Sequence, residues 1–432
     1  MNKTSQEIYD ILLSKIRNKN YLPGDKLPSI RYQASFFNVK KYYIEYAYEK
    51  LRIQGYVKSV AGKGYFVISN QGRYMSDVDN VPQSTDTIVP MLQIFYKNDS
   101  YRKLTDSLLL RGLKNTYNLK LDSLYYSSSG IGMPRLREEI SKYLSKLYGH
   151  YIHPDRILIS SSKKDLVDYL LNEFNKKYIL LEEYNKTSDS NLFQAYRNKI
   201  RYIKMDDDGV KVDDLPKKPS LLFIESHNQL PTCINYSPQR INELEKFCLQ
   251  NNIFIIDDLY NRQFIFEHKN ILYNKKNLFL IDDLAAVFPR SIKFAYMVVP
   301  TNFEATNYKS SASSLTENFV LSLFEDGSFY QTTDKIWFLL NDVRDRFILE
   351  LKKRNIKFYE PLSGPYISVI IDGKLKIRQI KKQIKLTPFE INGQFFKTSD
   401  GLDAVSFKYI NIKLDKVGEF IDFLFFNKLS LN

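Results

Sequence analysis

The feature that most constrains the fold is an alternation of short apolar runs with helix-like stretches between about residues 91 and 300. The runs are rich in Ile, Leu, Val, Tyr and Phe, as buried strands are. Strands that alternate with helices predict a largely parallel sheet covered by helices on both faces. We therefore predict an α/β domain over residues 95–300 and a smaller α+β lobe over residues 301–432. The candidate strands are Tyr178–Leu181, Leu221–Ile224, Ile253–Ile256, Leu278–Ile281 and Tyr296–Val299.

The chain has 432 residues, which suits two or three domains. Its first residues, MNKTSQEIYD, lack the apolar stretch of a signal peptide, and no run of about 18 apolar residues predicts a membrane span. Two cysteines, Cys233 and Cys248, allow at most one disulfide bond. We therefore expect a cytoplasmic protein that has no membrane partner.

Positive charge is concentrated near the N-terminus. Residues 1–70 contain 12 Lys and Arg against 5 Asp and Glu, a net charge of +7 out of +14 for the whole chain. This pattern is typical of proteins that bind the phosphate backbone of nucleic acid, although a solvated lysine-rich surface gives the same count. Residues 69–90 are polar and aperiodic, which predicts a flexible linker. We place that linker at residues 71–94, after a first domain of residues 1–70.

The basic segment begins with two helical patterns. Thr4 and Glu7 form a capping box, and apolar residues at helical spacing continue the first pattern to about Lys19. A Pro-Gly turn follows, and Pro28 then fits the first turn of a second helix, where its missing N–H is harmless. This second helix is predicted to end near Phe37.

A third helix and a hairpin complete the segment. The apolar face of the third helix consists of Ile44, Ala47, Tyr48 and Leu51. Gly55 ends this helix, and two β-type runs, Tyr56–Val60 and Tyr65–Ile68, follow around a glycine-rich tip. Three helices and a hairpin predict a winged helix-turn-helix, which places the start of its recognition helix in the major groove of DNA. Lys63 at the tip of the hairpin can meet a phosphate or reach the minor groove. The alternative interpretation of the whole segment is a small helical domain used for protein contacts.

Three strings of this segment resemble the GntR-type DNA-binding domain, over nearly all of residues 5–68. They are Leu22–Arg31 (LPGDKLPSIR), Ala47–Leu51 (AYEKL) and Gly62–Val67 (GKGYFV), with Gly55-Tyr56 between the last two. The resemblance implies DNA contacts by the Pro-Ser-x-Arg string, by the start of the recognition helix and by the wing. The implied DNA-binding residues are Ser29, Arg31, Lys40, Lys41, Tyr43, Gly62, Lys63 and Gly64.

The chain departs from this family at the start of the recognition helix. It has Lys40, Lys41 and Tyr43 where the family usually has Ser-Arg and then Thr. Lysine is a point charge, whereas arginine offers a planar fork for bidentate contacts. The base preference of relatives is therefore not carried over to this chain.

Most of residues 95–432 resembles the aminotransferase-like domain of the MocR regulators, through motifs in the same order and spacing. The motifs are Gly132–Arg137 (GMPRLR), Ile157–Ser161 (ILISS), Gln229–Thr232 (QLPT), Asp257–Tyr260 (DDLY) and Tyr296–Pro300 (YMVVP). The resemblance implies a fold-type I aminotransferase architecture, whose usual cofactor is pyridoxal phosphate and whose domains form dimers. We therefore expect a homodimer that binds a double-stranded DNA operator.

The resemblance also implies which residues line a cofactor pocket. Asp258 and Tyr260 match the partners of the pyridine nitrogen and of the ring hydroxyl, and Asn228 lies near the loop that touches the ring in relatives. Lys293 matches the arginine that binds the phosphate. A pyridoxal enzyme also needs a lysine that bonds the cofactor covalently, and Ala285 stands where that lysine should be.

Other parts of the implied pocket are changed as well. Asp282 and Asp283 stand where small hydroxyl residues would help to hold the phosphate, which two carboxylates repel. Lys163 and Lys164 follow the phosphate-binding turn, and they either bind the phosphate or form a solvated pair at a helix start. No arginine stands near residues 405–407, where relatives hold the substrate carboxylate.

Three functions are compatible with these observations. The first is a DNA-binding regulator whose large domain forms dimers and catalyses no reaction. In this function the large domain either binds a small-molecule effector or binds none. The second is a regulator that still binds pyridoxal phosphate, non-covalently or through another lysine, and the third is a working aminotransferase fused to a DNA-binding domain. Ala285 argues against the third and weakens the second. We expect the first, with no covalent cofactor and no metal site, and weak non-covalent binding of pyridoxal phosphate stays open.

Overall fold

The computed structural model of the chain divides into two compact units, Met1–Ile88 and Val89–Asn432. The described residues are 5–17, 20–22, 24–53, 56–60, 63–67, 99–117, 130–174, 178–186, 193–260, 262–265, 276–284, 286–288, 291–372, 377–386 and 393–426. Among the helices of these residues, none combines the length and the apolar character that a membrane span requires.

The described helices and strands are numbered here along the chain. The helices are α1 (Ser5–Arg17), α2 (Ile30–Phe37), α3 (Lys41–Ile53), α4 (Asp99–Tyr117), α5 (Pro134–Tyr148), α6 (Lys163–Glu173), α7 (Pro238–Gln250), α8 (Ser314–Glu325), α9 (Ser328–Lys353), α10 (Ile377–Leu386) and α11 (Val417–Ile421). The strands are β1 (Val57–Val60), β2 (Gly64–Val67), β3 (Ile157–Ser160), β4 (Tyr178–Glu182), β5 (Ile200–Ile203), β6 (Met205–Asp206), β7 (Gly209–Val210), β8 (Ser220–Ile224), β9 (Ile253–Asp258), β10 (Leu278–Asp282), β11 (Ala295–Val298), β12 (Phe358–Tyr359), β13 (Tyr366–Ile371), β14 (Gln394–Lys397) and β15 (Asp403–Lys408).

The first unit is a winged helix-turn-helix, as predicted. Its core consists of Ile8, Tyr9, Leu12, Leu27, Ala34, Phe37, Ile44, Ala47, Tyr48, Leu51, Val57 and Val67. The hydroxyl of Tyr48 donates to the Pro28 carbonyl at 2.6 Å, which ties α3 to the start of α2. β1 and β2 form the antiparallel wing, and the N–H of Leu27 donates to the Tyr65 carbonyl at 2.8 Å. The segment before α2 is thereby fixed to the wing.

The start of the second helix differs from the prediction. α2 begins after Ser29, whose Oγ accepts a hydrogen bond from the N–H of Tyr32 at 3.2 Å. Pro28 therefore precedes the helix cap and does not lie in the first turn, because the serine hydroxyl satisfies a free N–H there. α1 is described to Arg17, and Thr4 and Lys19 lie outside the described residues.

A seven-stranded sheet forms the centre of the second unit, in the order β3-β11-β10-β9-β8-β4-β5. The strands β10, β9, β8, β4 and β5 pair in parallel, and β11 is antiparallel to both of its neighbours. Every residue of β8 and of β10 is buried, as expected when helices cover both faces. The predicted mainly parallel sheet is confirmed, and β3 and β5 extend it at the edges.

The C-terminal part of this unit is the smaller α+β lobe that the sequence predicts. Its antiparallel sheet has the order β12-β13-β15-β14. The ring of Phe347 on α9 packs against Phe407 on β15 and Phe420 on α11, with centroids 5.9 Å away in both cases. These aromatic contacts join the long helix to the sheet.

The chain at residues 131 and 132 passes close to β3, the strand that leads into α6, and fixes its position. Gly132 has a φ of +108°, and a Cβ atom built there would lie 2.6 Å from the Cβ of Ile159. The N–H of Ile159 also donates to the Ile131 carbonyl at 3.0 Å. β3 ends at Ser160, and two residues later the hydroxyl of Ser162 caps α6. Gly132 therefore helps to place the start of α6.

We predict that Gly132→Ala destabilises the protein more than Gly130→Ala does. Both glycines have a positive φ, +108° and +71°, at which an alanine costs roughly 1–2 kcal/mol. The Cβ atom at position 132 also meets Ile159, which adds an overpacking cost of about 1–3 kcal/mol, whereas the space around position 130 is open. Thermal unfolding measures the difference, and equal melting temperatures for the two variants would contradict this role of Gly132.

Candidate DNA interface and cofactor pocket

The start of α3 presents basic side chains to solvent. Lys40 precedes the helix and Lys41 is its first residue, and both are exposed. Ile44 and Ala47, on the opposite face, are fully buried in the core of the first unit. A basic, solvent-facing helix start on a winged helix has the geometry with which such helices enter the major groove.

Two tyrosines in this first turn face different ways. Tyr42 is 53% exposed, whereas Tyr43 is half-buried and packs against the core. Their rings stack, with centroids 4.2 Å apart. At about 100° per residue, Tyr42 lies nearly opposite the buried Ile44. Tyr42 is therefore a candidate contact residue that the sequence analysis missed, and helical phase is the signal that points to it.

The remaining implied DNA-binding residues lie around α2 and the wing. Arg31 is exposed in the first turn of α2, whereas the Ser29 hydroxyl caps that helix. Lys63 is exposed at the wing, and Gly64 has a φ of +104°, which favours glycine. Gly62 lies outside the described residues. The geometry leaves the two cations accessible to a phosphate backbone.

The candidate cofactor pocket lies at the carboxyl edge of the seven-stranded sheet, where open α/β folds bind ligands. Asp258 is the last residue of β9, and Tyr260 follows it closely. Nζ of Lys163, on the first turn of α6, donates to Oδ2 of Asp258 at 2.8 Å and lies 3.9 Å from Oδ2 of Asp283. The same Nζ is 5.5 Å from the centroid of the Tyr260 ring, within the range of a cation–π contact. The Lys163 ammonium therefore joins residues from two strand ends.

These charges alter one another's pKa values. Burial alone would lower the pKa of Lys163, but Asp258, Asp283 and Asp282 together raise it well above its usual value. Burial raises the pKa of Asp258, and Lys163 opposes this effect. Lys163 is therefore held as a cation, and a protonated amine is a poor nucleophile.

Asp282 is buried beside this pair, at 3% exposure. Its Oδ2 accepts from Nε2 of Gln263 at 2.6 Å and from the hydroxyl of Tyr296 at 3.0 Å, and its Oδ1 accepts from the N–H of Asp283 at 2.8 Å. Burial and the charge of Asp283 raise the pKa of Asp282 to about 7. Oε1 of Gln263 is buried and has no partner among the described residues. If the amide group of Gln263 is rotated by about 180°, this oxygen faces Asp282 and accepts a hydrogen bond from its protonated carboxyl group.

The other implied pocket residues are placed differently. Asn228 is 5% exposed, has a φ of +50°, and its side-chain oxygen and nitrogen have no partner among the described residues. Its N–H donates to Oδ1 of Asn235 at 2.8 Å. Lys293 is exposed, and Ala285 lies outside the described residues. A buried amide group that makes no hydrogen bonds costs free energy. The side chain of Asn228 is therefore an unsatisfied polar group at this edge of the sheet.

Hydroxyl groups at the start of α6 surround a carboxylate. Oδ2 of Asp165 accepts from Oγ of Ser161 at 2.6 Å and from Oγ of Ser311 at 2.8 Å. Burial opposes the charge of Asp165, but these hydrogen bonds outweigh burial and lower its pKa. By the resemblance, this turn is the one that binds the phosphate in relatives. Its hydroxyls here already bind an internal anion.

The pocket residues do not fit pyridoxal phosphate. Asp258, which would bind the ring nitrogen, has both oxygens occupied, one by Lys163 and the other by the N–H of Tyr260 at 3.1 Å. The hydroxyls of the phosphate turn bind Asp165, and the carboxylates at the end of β10 add negative charge. A phosphate dianion would be repelled there.

Comparisons of the sequence with known proteins match both units. Residues 4–67 match the family model of bacterial regulatory proteins, gntR family. The chain is 21% identical over 415 residues to YdeL of Bacillus subtilis, an uncharacterized HTH-type transcriptional regulator, and the match covers 90% of this chain and 89% of the relative. It is 20% identical to the Probable rhizopine catabolism regulatory protein MocR of Rhizobium meliloti, over 68% of this chain and 65% of the relative.

The second unit has the fold of solved aminotransferases. An archaeal alanine:glyoxylate aminotransferase superposes with a TM-score of 0.59 at 16% identity, over 76% of this chain and 89% of that one. The kynurenine aminotransferase of Pyrococcus horikoshii gives a TM-score of 0.56 at 17% identity, over 74% of this chain and 85% of that one. At these identities the likeness is one of fold.

The chain therefore joins a GntR-type winged helix-turn-helix to a unit with an aminotransferase-like fold. This combination of units is the MocR-type architecture. The resemblance stated from the sequence motifs and the predicted fold class are both confirmed.

We predict that Asp282→Asn reduces the pH dependence of stability. The pKa of Asp282 is about 7 in the folded protein and 3.8 ordinarily, so the folded state keeps a proton that the unfolded state releases. The stability that this proton provides is present below about pH 4 and is lost as the pH rises through about 7. Between these values the free energy of unfolding should fall less in the variant than in the wild type, by on the order of 2 kcal/mol.

Urea unfolding at several pH values measures this difference. Asp213→Asn, which removes an exposed carboxylate, is the control and should keep the wild-type pH dependence. Parallel pH curves for the wild type and Asp282→Asn would show that Asp282 holds no such proton.

Proposed function

We propose that this chain regulates transcription by binding a DNA operator through its first unit, while its second unit pairs two copies and performs no catalysis. The observation that carries the proposal is the exposed basic start of α3 on a winged helix. Lys40, Lys41 and Arg31 supply cations that bind phosphates and release counterions. The match of residues 4–67 to the gntR family supports this proposal.

The proposed pairing follows from the second unit. Fold-type I domains form dimers in the family that this unit resembles, and a dimer carries two winged helix-turn-helix units. Two tethered units bind paired half-sites more tightly than one unit does, because the second contact is intramolecular. We propose that the second unit holds this homodimer together and offers a site for a small-molecule effector without a covalent bond.

Lys41→Ala and Arg31→Ala are each expected to weaken operator binding several-fold. Each variant should also lower the slope of log affinity against log salt concentration by about 1, because one phosphate contact is lost. Fluorescence anisotropy of labelled duplexes, chosen from genomic fragments that the wild type retains, measures both quantities.

Lys246→Ala is the matched control, because it removes an exposed lysine from α7 of the second unit. It should bind DNA as the wild type does. Light scattering should give each variant a mass near twice 50.9 kDa, which verifies that pairing is intact. Equal losses of affinity in the control and the two test variants would contradict the proposed interface.

The lack of catalysis is proposed from the missing amine. Ala285 occupies the sequence position at which the resemblance requires a covalent lysine, and Lys163 is held as a cation by its carboxylates. The same amine would move protons during transamination, so both attachment and turnover lose their central group. The carboxylates around the pocket also oppose the phosphate.

The wild type is therefore expected to form no specific covalent adduct with pyridoxal phosphate and to show no transaminase activity. Borohydride reduction followed by peptide mass spectrometry measures attachment, and amino-acid consumption with a 2-oxo acid measures turnover. A known aminotransferase treated in parallel is the positive control. Near-stoichiometric capture at one lysine of the wild type would refute this part of the proposal.

A further inference from the structure

The first turn of α6 contributes one cation and one anion to the candidate pocket. Lys163 pairs with Asp258 at 2.8 Å, and the two side chains are only 21% and 28% exposed. Two residues further along the helix, Asp165 accepts hydrogen bonds from Ser161 and Ser311 at 2.6 and 2.8 Å. Both charges therefore have well-placed partners within the unit.

These two pairs match the two charged ends of the family's cofactor. Pyridoxal phosphate has a ring nitrogen that binds a carboxylate when it is protonated, and a phosphate that binds hydroxyl and N–H donors. In this chain the Lys163 ammonium binds the carboxylate, and the Asp165 carboxylate binds the hydroxyls. The resemblance matches Tyr260 to the partner of the ring hydroxyl, and here the centroid of its ring lies 5.5 Å from Nζ of Lys163.

We infer that the first turn of α6 is a built-in replacement for the cofactor, so that the second unit folds and pairs without pyridoxal phosphate. This goes beyond a loss of catalysis, because a unit can lose its covalent lysine and still depend on a bound cofactor for stability. Without a cofactor or Lys163, Asp258 would be a largely buried charge with no counter-ion, which is costly. Lys163 belongs to the chain and cannot dissociate, so it removes that dependence.

The first test uses pyridoxine 5′-phosphate, which keeps the ring and the phosphate but has no aldehyde to label surface lysines. A protein that needs the cofactor gains several degrees in melting temperature when ligand is present at roughly 100 times its dissociation constant. We expect no shift for the full-length wild type at about 1 mM ligand. We also expect a mass near twice 50.9 kDa without any ligand. A clear rise in melting temperature, or pairing that requires the ligand, overturns the inference.

The second test removes the internal cation. Lys163→Met leaves Asp258 without its counter-ion and should lower the melting temperature by on the order of 5 °C or more. Lys164→Met is the matched control, because Lys164 is 56% exposed and pairs with Asp168 on the helix surface. Surface pairs of this kind contribute little, so a change within about 1 °C is expected for the control.

A double variant keeps this test decisive if Lys163→Met folds poorly. Lys163→Met combined with Asp258→Asn removes both charges, so no unpaired charge remains, and most of the lost melting temperature should return. Recovery in the double variant supports the inference. The inference is wrong if Lys163→Met unfolds at the same temperature as Lys164→Met, or if the double variant is no more stable than Lys163→Met.

Discussion

Parallel strands end at one edge of the seven-stranded sheet, and five carboxylates meet there. Glu182 ends β4, Asp257 and Asp258 end β9, Asp282 ends β10, and Asp283 follows it. Like charges that are withdrawn from water are unfavourable unless each is paired, hydrogen-bonded or protonated. The way in which each carboxylate is neutralised therefore governs how this edge is built and which ligands it accepts.

The edge uses several ways of neutralising charge. Asp258 has a counter-ion in Lys163, and Asp257 accepts hydrogen bonds from the N–H and the hydroxyl of Ser226 at 3.0 and 2.8 Å. Burial raises the pKa of Glu182 to about 8, so a proton neutralises this carboxyl near neutral pH. Among the described residues of this edge, the Lys163 ammonium is already bound to Asp258, and the nearby carboxylate of Asp283 would repel a phosphate. A shared fold therefore does not by itself imply a shared cofactor.

Much of the fold could be predicted from the sequence because periodicity reports burial. The face of α3 formed by Ile44, Ala47 and Leu51 is buried, as its spacing predicts. The outward face was harder to predict, because the helical phase depends on the first residue of the helix, and a shift of one position turns a side chain by about 100°. The resemblance implies a DNA contact by Tyr43, whereas the exposed tyrosine at the start of α3 is Tyr42.

The pocket could be predicted only in part. Asp258 and Tyr260 lie in a recognisable motif, but Lys163 is 95 residues away from Asp258 in sequence. Their contact depends on β3 and β9 belonging to one sheet with two strands between them, which no local pattern reveals. The i,i+4 spacing of Lys164 and Asp168 indicates a surface pair, but no local pattern marks Lys163 as the partner of Asp258. Whether a lysine at a helix start is a surface charge or an internal counter-ion therefore depends on which carboxylate a distant strand end places beside it.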